Sequence, residues 1–145
     1  MQEFMSRTET GRTAPVGGGH TALMCAALDG RTAVVKALLD KGADVNARDK
    51  EGRTALMFAV INLHRDTVRA LVGRGADVNA RADDGGTALI FAASGGDAGI
   101  MRALLDRGAD VNAGFVSTNV TAAAVAAQKG YTEIVRLLQK VGAAR

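Results

Sequence analysis

Apolar residues recur along this chain at helical spacing in short bursts, separated by polar stretches that contain glycine. Leu23, Ala26 and Ala27 fall at i, i+3 and i+4, on one face of a short helix. Val34, Val35, Leu38 and Leu39 mark a second helix in the same way. Thr21 stands just before the first helix, where its hydroxyl can accept from the free amides of the opening turn. Gly30 between the helices and Gly42 after the second suit left-handed helix ends. Asp44-Val45-Asn46 then leads into Arg48-Asp49-Lys50-Glu51-Gly52, a polar run that predicts a projecting turn.

The whole unit recurs. Thr21, Thr54, Thr87 and Thr121 stand 33, 33 and 34 residues apart, and Gly42, Gly75, Gly108 and Gly142 follow at the same intervals. The block Gly-Ala-Asp-Val-Asn-Ala occurs intact at Gly42–Ala47, Gly75–Ala80 and Gly108–Ala113. Small residues (Ala26, Ala59, Ala92, Ala126) mark where first helices pack closely on the next unit. Leu38, Leu71, Leu104 and Leu138 supply a larger apolar layer from the second helices. A single unit cannot bury its apolar face, whereas about three stacked units can, and this chain has four. Contacts in such a stack are mostly between neighbours, so its ends should open before its middle.

Gly52-Arg53-Thr54-Ala55-Leu56-Met57-Phe58-Ala59 and Gly85-Gly86-Thr87-Ala88-Leu89-Ile90-Phe91-Ala92-Ala93, each followed by a Val or Leu-rich helix and Gly-Ala-Asp-Val-Asn, resemble ankyrin repeats. The resemblance covers about four repeats from Gly19 to Ala143. It implies an all-α solenoid of stacked helix-turn-helix units with projecting β-turn or hairpin fingers, and a role in protein–protein binding. The expected division is a flexible arm over residues 1–19, then a repeat domain over 20–145 with units near 20–49, 50–82, 83–115 and 116–145. Four departures stand out. The family proline is Ala22, Ala55, Ala88 and Ala122. The family histidine is Met24, Met57, Ile90 and Ala124, which predicts apolar contact in place of its hydrogen bonds. Leu63 occupies a helix-ending glycine position, which predicts strain or a re-packed loop. Gly95, Gly96 and Gly99 are expected to weaken the helix ends of the third unit. The fourth unit, with Ala123 for the anchoring Leu and one extra residue between Asn112 and Thr121, is expected to be the loosest.

Composition narrows the function classes. The chain has 145 residues, enough for one continuous core, and 48% are apolar. Aromatic residues are only 3%, which favours thin layers of small side chains. The lone Cys25 excludes an internal disulfide and suits a reducing, cytoplasmic setting. No apolar run reaches the length of a membrane span, and no membrane association is expected. The net charge of +3 is mild for a nucleic-acid binder, and aromatic interleaving for base stacking is absent. His20 and His64 are the only histidines and lie a repeat or more apart. Cys25 falls on the apolar side of its helix and reads as a core residue. Gly17-Gly18-Gly19 lacks the Lys-Ser/Thr of a phosphate loop. No metal-ligand spacing appears, so neither enzyme chemistry nor a cofactor is expected.

The family resemblance implies two variable surfaces, the finger tips and the concave face of the first helices. On the fingers the candidates for partner binding are Arg48, Lys50, Glu51 and Arg53, then Arg81, Asp83 and Asp84, then Phe115 and Val116. On the helices they are Leu28, Asp29, Ile61, Asn62, Ser94 and Gln128. Exposed apolar residues amid charge are candidate anchors. The competing reading has Phe115 folded over the last unit and Leu28 and Ile61 partly buried. Lys36, Arg69, Arg102 and Arg136 form a regular row on the second helices, read first as a solvated face and second as a surface for an acidic partner or RNA. The expectation is a monomeric, non-catalytic module that binds another protein. The alternative is a structural or targeting domain of a larger protein.

Overall fold

The computed structural model describes residues 20–143; the expected arm over residues 1–19, with its three glycines, and the last two residues lie outside that range. Eight helices occur among the described residues: α1 (Ala22–Leu28), α2 (Thr32–Asp40), α3 (Ala55–Ile61), α4 (Arg65–Gly73), α5 (Ala88–Gly95), α6 (Ala98–Asp106), α7 (Ala122–Lys129) and α8 (Thr132–Ala143). The first helices of the units, α1, α3, α5 and α7, pack side by side in one layer. The second helices, α2, α4, α6 and α8, form the other, and each pair is packed on itself.

The four recurring threonines start the first layer. Their hydroxyls accept from the amides of Met24 at 3.2 Å, Met57 at 3.4 Å, Ile90 at 3.3 Å and Ala124 at 3.4 Å. Each such cap contributes about 1 kcal/mol. Met24 does more than make apolar contact. Its sulfur accepts from the Thr21 amide at 3.4 Å, closing a reciprocal cap and restoring a polar contact within the unit.

The alanine and leucine rows are buried as expected. Ala59, Ala92 and Ala126 are fully enclosed between first helices, as are Leu71 and Leu104 in the second layer. Because a methyl is all that separates adjacent first helices there, a larger side chain would push the units apart.

Helix ends follow the glycines with one exception. Gly30, Gly96 and Gly130 have φ of 71°, 75° and 78°, and Leu63 at the equivalent place has φ of 59°. The expected strain is therefore present, because an L-residue pays roughly 1–2 kcal/mol in that region. The next unit is shaped around it. Leu63 lies over Gly95, where any added Cβ would sit 2.8 Å from its Cδ2. Rings rest on the true glycines instead, His64 against Gly30 and Tyr131 against Gly96. The third unit's helices are not shortened by Gly95, Gly96 and Gly99. α5 runs to Gly95, Gly96 caps it, and Asp97 caps α6 through the Ile100 amide at 3.1 Å.

Polar side chains tie each unit to the next. Asp44, Asp77 and Asp110 each accept from the amide two residues on at 2.9 Å, which forms the turn. Asn46 accepts from the Asp77 amide at 2.7 Å and donates to the Gly75 carbonyl at 3.4 Å. Asn79 repeats this with Asp110 at 2.7 Å and Gly108 at 3.1 Å. Arg65 donates to Asp97 at 2.8 Å. Burial alone pushes the Asp97 carboxyl up, but Arg65 and the amides of Ile100 and Gly99 outweigh it and hold it below the usual aspartate range.

Candidate partner-binding surface

Each finger is a turn closed by its own backbone. In the first, the Asp49 amide donates to the Arg53 carbonyl at 2.9 Å and Gly52 donates back to Asp49 at 3.0 Å. In the second, Ala82 donates to Gly86 and Gly85 to Ala82, both at 2.8 Å. The third is one residue longer. Phe115 donates to Val120 at 3.2 Å, Asn119 turns with φ of 56°, and Gly114 bridges to Thr121.

The fingers are also joined edge to edge. The Asp83 amide donates to the Glu51 carbonyl at 2.9 Å, and the Val116 amide to the Asp84 carbonyl at 2.8 Å. Arg48 donates to the Arg81 carbonyl, and Arg81 donates to the Gly114 carbonyl at 2.6 Å. Gly52 and Gly85 permit this approach, since a Cβ on Gly85 would lie 2.8 Å from the Val116 nitrogen. Arg48 and Arg81, both candidates for partner contact, thus spend a guanidinium nitrogen on the spacing of the fingers.

Asp49 holds the first finger. Its side chain is 1% exposed and accepts from the amides of Glu51 at 2.9 Å and Arg53 at 2.8 Å. Arg53 Nε lies 3.4 Å and His20 Nε2 3.3 Å from its other oxygen. Burial pushes this carboxyl up, but the two amides and the charges of Arg53 and His20 outweigh it and hold the group below its ordinary range. In the sequence Asp49 reads as one more polar turn residue. The available signal was its neighbourhood: a carboxylate three residues before Gly52, with Arg53 next, can accept both turn amides.

Arg53 is fixed as well. It pairs with Glu51 at 2.6 Å and lies 5.2 Å from the centre of the Phe58 ring. His20 meets the same ring edge-on at 5.4 Å. Cys25, midway along α1, is half-buried, not enclosed in the core as its helical position suggested. It borders a small notch with His20, Met24, Leu28 and Phe58. Burial, with the charge of Asp29, pushes its thiol pKa up, which makes it a poorer nucleophile.

On the first-helix face, Leu28 and Ile61 occupy equivalent places and are 40% and 42% exposed. Ser94 and Gln128 continue the row. Asn62 donates to the Leu28 carbonyl at 2.8 Å, and Lys129 donates to the Ser94 carbonyl at 3.1 Å, so part of this polar edge is used between units. Asp29 and Lys50 are exposed beside the row and on the first finger. Phe115 is half-buried against the core and approaches Gly86 of the preceding finger, while Val116 is 73% exposed. Glu51, Arg53, Ile61, Ala82, Asp83, Asp84 and Phe91 surround a cleft of about 220 Å³ between the first two fingers and the helices.

Another recess, of about 360 Å³, lies among Gly30, Thr32 and Leu63 to Thr67. Its polar groups serve the fold: Thr32 bonds Thr67 at 2.8 Å, His64 bonds the Leu28 carbonyl at 2.9 Å, and Arg65 holds Asp97. The basic row is exposed, with Arg69 near Asp66 at 3.9 Å and Arg102 paired to Glu133 at 3.2 Å. Among the described residues no group of three or more His, Cys, Asp or Glu side chains is placed to hold a metal. No helix among them is long and apolar enough to cross a membrane.

Comparison with known families gives a match to the model described as ankyrin repeats (3 copies), over residues 2–82 and again over 80–144. No curated protein matches the chain.

Proposed function

The chain belongs to the ankyrin-repeat family, whose members are in general protein–protein interaction modules and in general not enzymes, and from that premise we propose that it binds a protein partner through the first-helix row and the fingers. The observation that carries this reading is the exposure of Leu28 and Ile61 at equivalent places on adjacent helices, beside a cleft that the fingers wall. A large aliphatic side chain left in water at a repeated position forgoes burial energy of roughly 1 kcal/mol or more, which a partner can recover. Around this patch stand Asp29, Lys50, Glu51, Asp83 and Asp84, a polar rim of the kind that surrounds binding anchors, and Val116 on the third finger adds a further exposed apolar side chain. The module acts as a monomer in the reducing cytoplasm; the lone, half-buried Cys25 supports that setting. Nucleic acid is the weaker reading, because Glu133 and Asp66 accompany the basic row.

Affinity purification from source lysate tests this, using the wild-type chain, Ile61→Glu and Lys36→Glu. The expected result is a protein captured by wild type and Lys36→Glu and lost with Ile61→Glu. Capture that survives Ile61→Glu but fails with Lys36→Glu moves the binding face to the second helices.

A further inference from the structure

We propose that the occupant of the cleft between the first two fingers is an extended segment of the partner that places an arginine or lysine next to an apolar side chain. This rests on the protein-binding reading and names the chemistry of what is bound.

The argument is local charge set against an apolar floor. The whole chain is net positive, +3, yet the cleft is lined by three carboxylates, Glu51, Asp83 and Asp84, and one guanidinium, Arg53. That guanidinium is already committed, paired with Glu51 and Asp49 and lying over Phe58. Arg48 and Arg81 run along the finger bases into the carbonyls of the following finger. Asp84 uses one oxygen for the Gly86 amide at 2.9 Å and keeps the second for a cation, while the exposed Asp83 carboxylate, which has the Arg48 guanidinium as its neighbour beside Gly52, can take a further one. Beneath them Ile61, the buried Ala82 and the half-buried Phe91 offer a surface for an aliphatic or aromatic side chain. The Phe91 ring end lies against Gly86, so the floor is fixed from behind. With Glu51 and Arg53 offsetting each other, a phosphate-bearing ligand would still face the carboxylates of Asp83 and Asp84, which disfavours nucleic acid and phosphopeptides at this place. An extended segment suits an open cleft bounded by two turns, with alternate side chains directed at rim and floor.

The test is an array of ten-residue synthetic peptides probed with the full chain at low salt. One set has an apolar–Arg–apolar centre, a second has Glu in place of Arg, and a third has Ser. Selective retention of the first set supports the proposal. So does about five- to ten-fold weaker binding by Asp83→Asn/Asp84→Asn, in line with two exposed ion pairs. Asn at position 84 keeps an acceptor for the Gly86 amide, and an unchanged thermal melt confirms that the variant folds. Binding to the first set should also fall as salt rises. Retention of the Glu or Ser set, or a double variant that binds the Arg set as tightly as wild type, overturns the proposal. Where those peptides are nonetheless lost with Ile61→Glu, the protein-binding reading stands without it. Retention of no peptide overturns the cleft's assignment, while the lysate experiment separately decides the protein-binding reading.

Discussion

Replacing Asp49 by alanine strips the first finger of its internal acceptor. Two amides at 2.8 and 2.9 Å lose a charged partner, and Arg53 and His20 lose a carboxylate at 3.4 and 3.3 Å. Hydrogen bonds to charged groups contribute about 1.5–3 kcal/mol each. Glu51 is exposed, so its amide regains water, and the lower end of that range applies. The partly exposed ion pair with Arg53 adds under about 1 kcal/mol. The expected loss is about 3 kcal/mol, or roughly 10 °C in melting temperature. Asp49→Asn keeps an oxygen for the amides and should cost about half as much. The chain has no Trp, so far-UV circular dichroism with urea is the suitable assay. The effect must also depend on pH in one direction. The folded pKa lies below the ordinary aspartate value of 3.8, so the stabilisation is complete above that value and fades as pH falls through the folded pKa. The gap between wild type and Asp49→Ala should therefore narrow below about pH 4. A loss under about 1 kcal/mol at neutral pH, or a gap that stays constant down to about pH 2.5, would refute the assignment of Asp49 as the finger's acceptor.

Two further substitutions probe the backbone of the stack. Gly85→Ala should cost about 3 kcal/mol by urea unfolding, because its φ of 88° disfavours a side chain and the new methyl meets the backbone at Val116 and Gly114. Gly42→Ala, with φ of 93° and open space around it, should cost only about 1–2 kcal/mol, and equal costs would count against the close finger contact. Leu63→Gly and Gly95→Ala should be coupled by about 1 kcal/mol in a double-mutant cycle, since the alanine methyl must displace the end of the Leu63 side chain when that side chain is present; additive effects would show that the two do not touch.

Much of the fold was legible because it is local. A threonine before an apolar helix, a glycine at a left-handed end and Asp-x-Asn in a turn each act within a few residues. Repetition let one unit explain the others. Even the strain at Leu63 could be read, by alignment with Gly30, Gly96 and Gly130. What lay hidden depends on side chains meeting across units. Arg48 and Arg81 look like free surface cations in sequence, yet they donate to carbonyls 33 residues on. Phe115 looks like a bare anchor, yet it is half-buried against the core. Asp49 differs from Ala82 and Phe115 at its own repeat position, so comparison among units gave it no role. The candidate surface was visible as a set of residues, and the cleft was not, because it is made where one unit's helix meets the next unit's finger.

The edge-to-edge bonding of the fingers divides the labour on this surface. Pitch between the first two fingers is set by backbone amides, Arg48 and the bare backbone of Gly52, while the side chains aimed outward are Lys50, Glu51, Asp83 and Asp84. The two sets barely overlap. A partner that reads both fingers meets a ruler whose graduations are fixed before it arrives, so little ordering is left to oppose association. By the same logic Lys50 and Asp83 can be exchanged without altering the spacing between marks, and Asp84 can change to any residue that keeps an acceptor for the Gly86 amide, which makes this edge of the molecule a frame on which specificity can be rewritten while the architecture stays as it is.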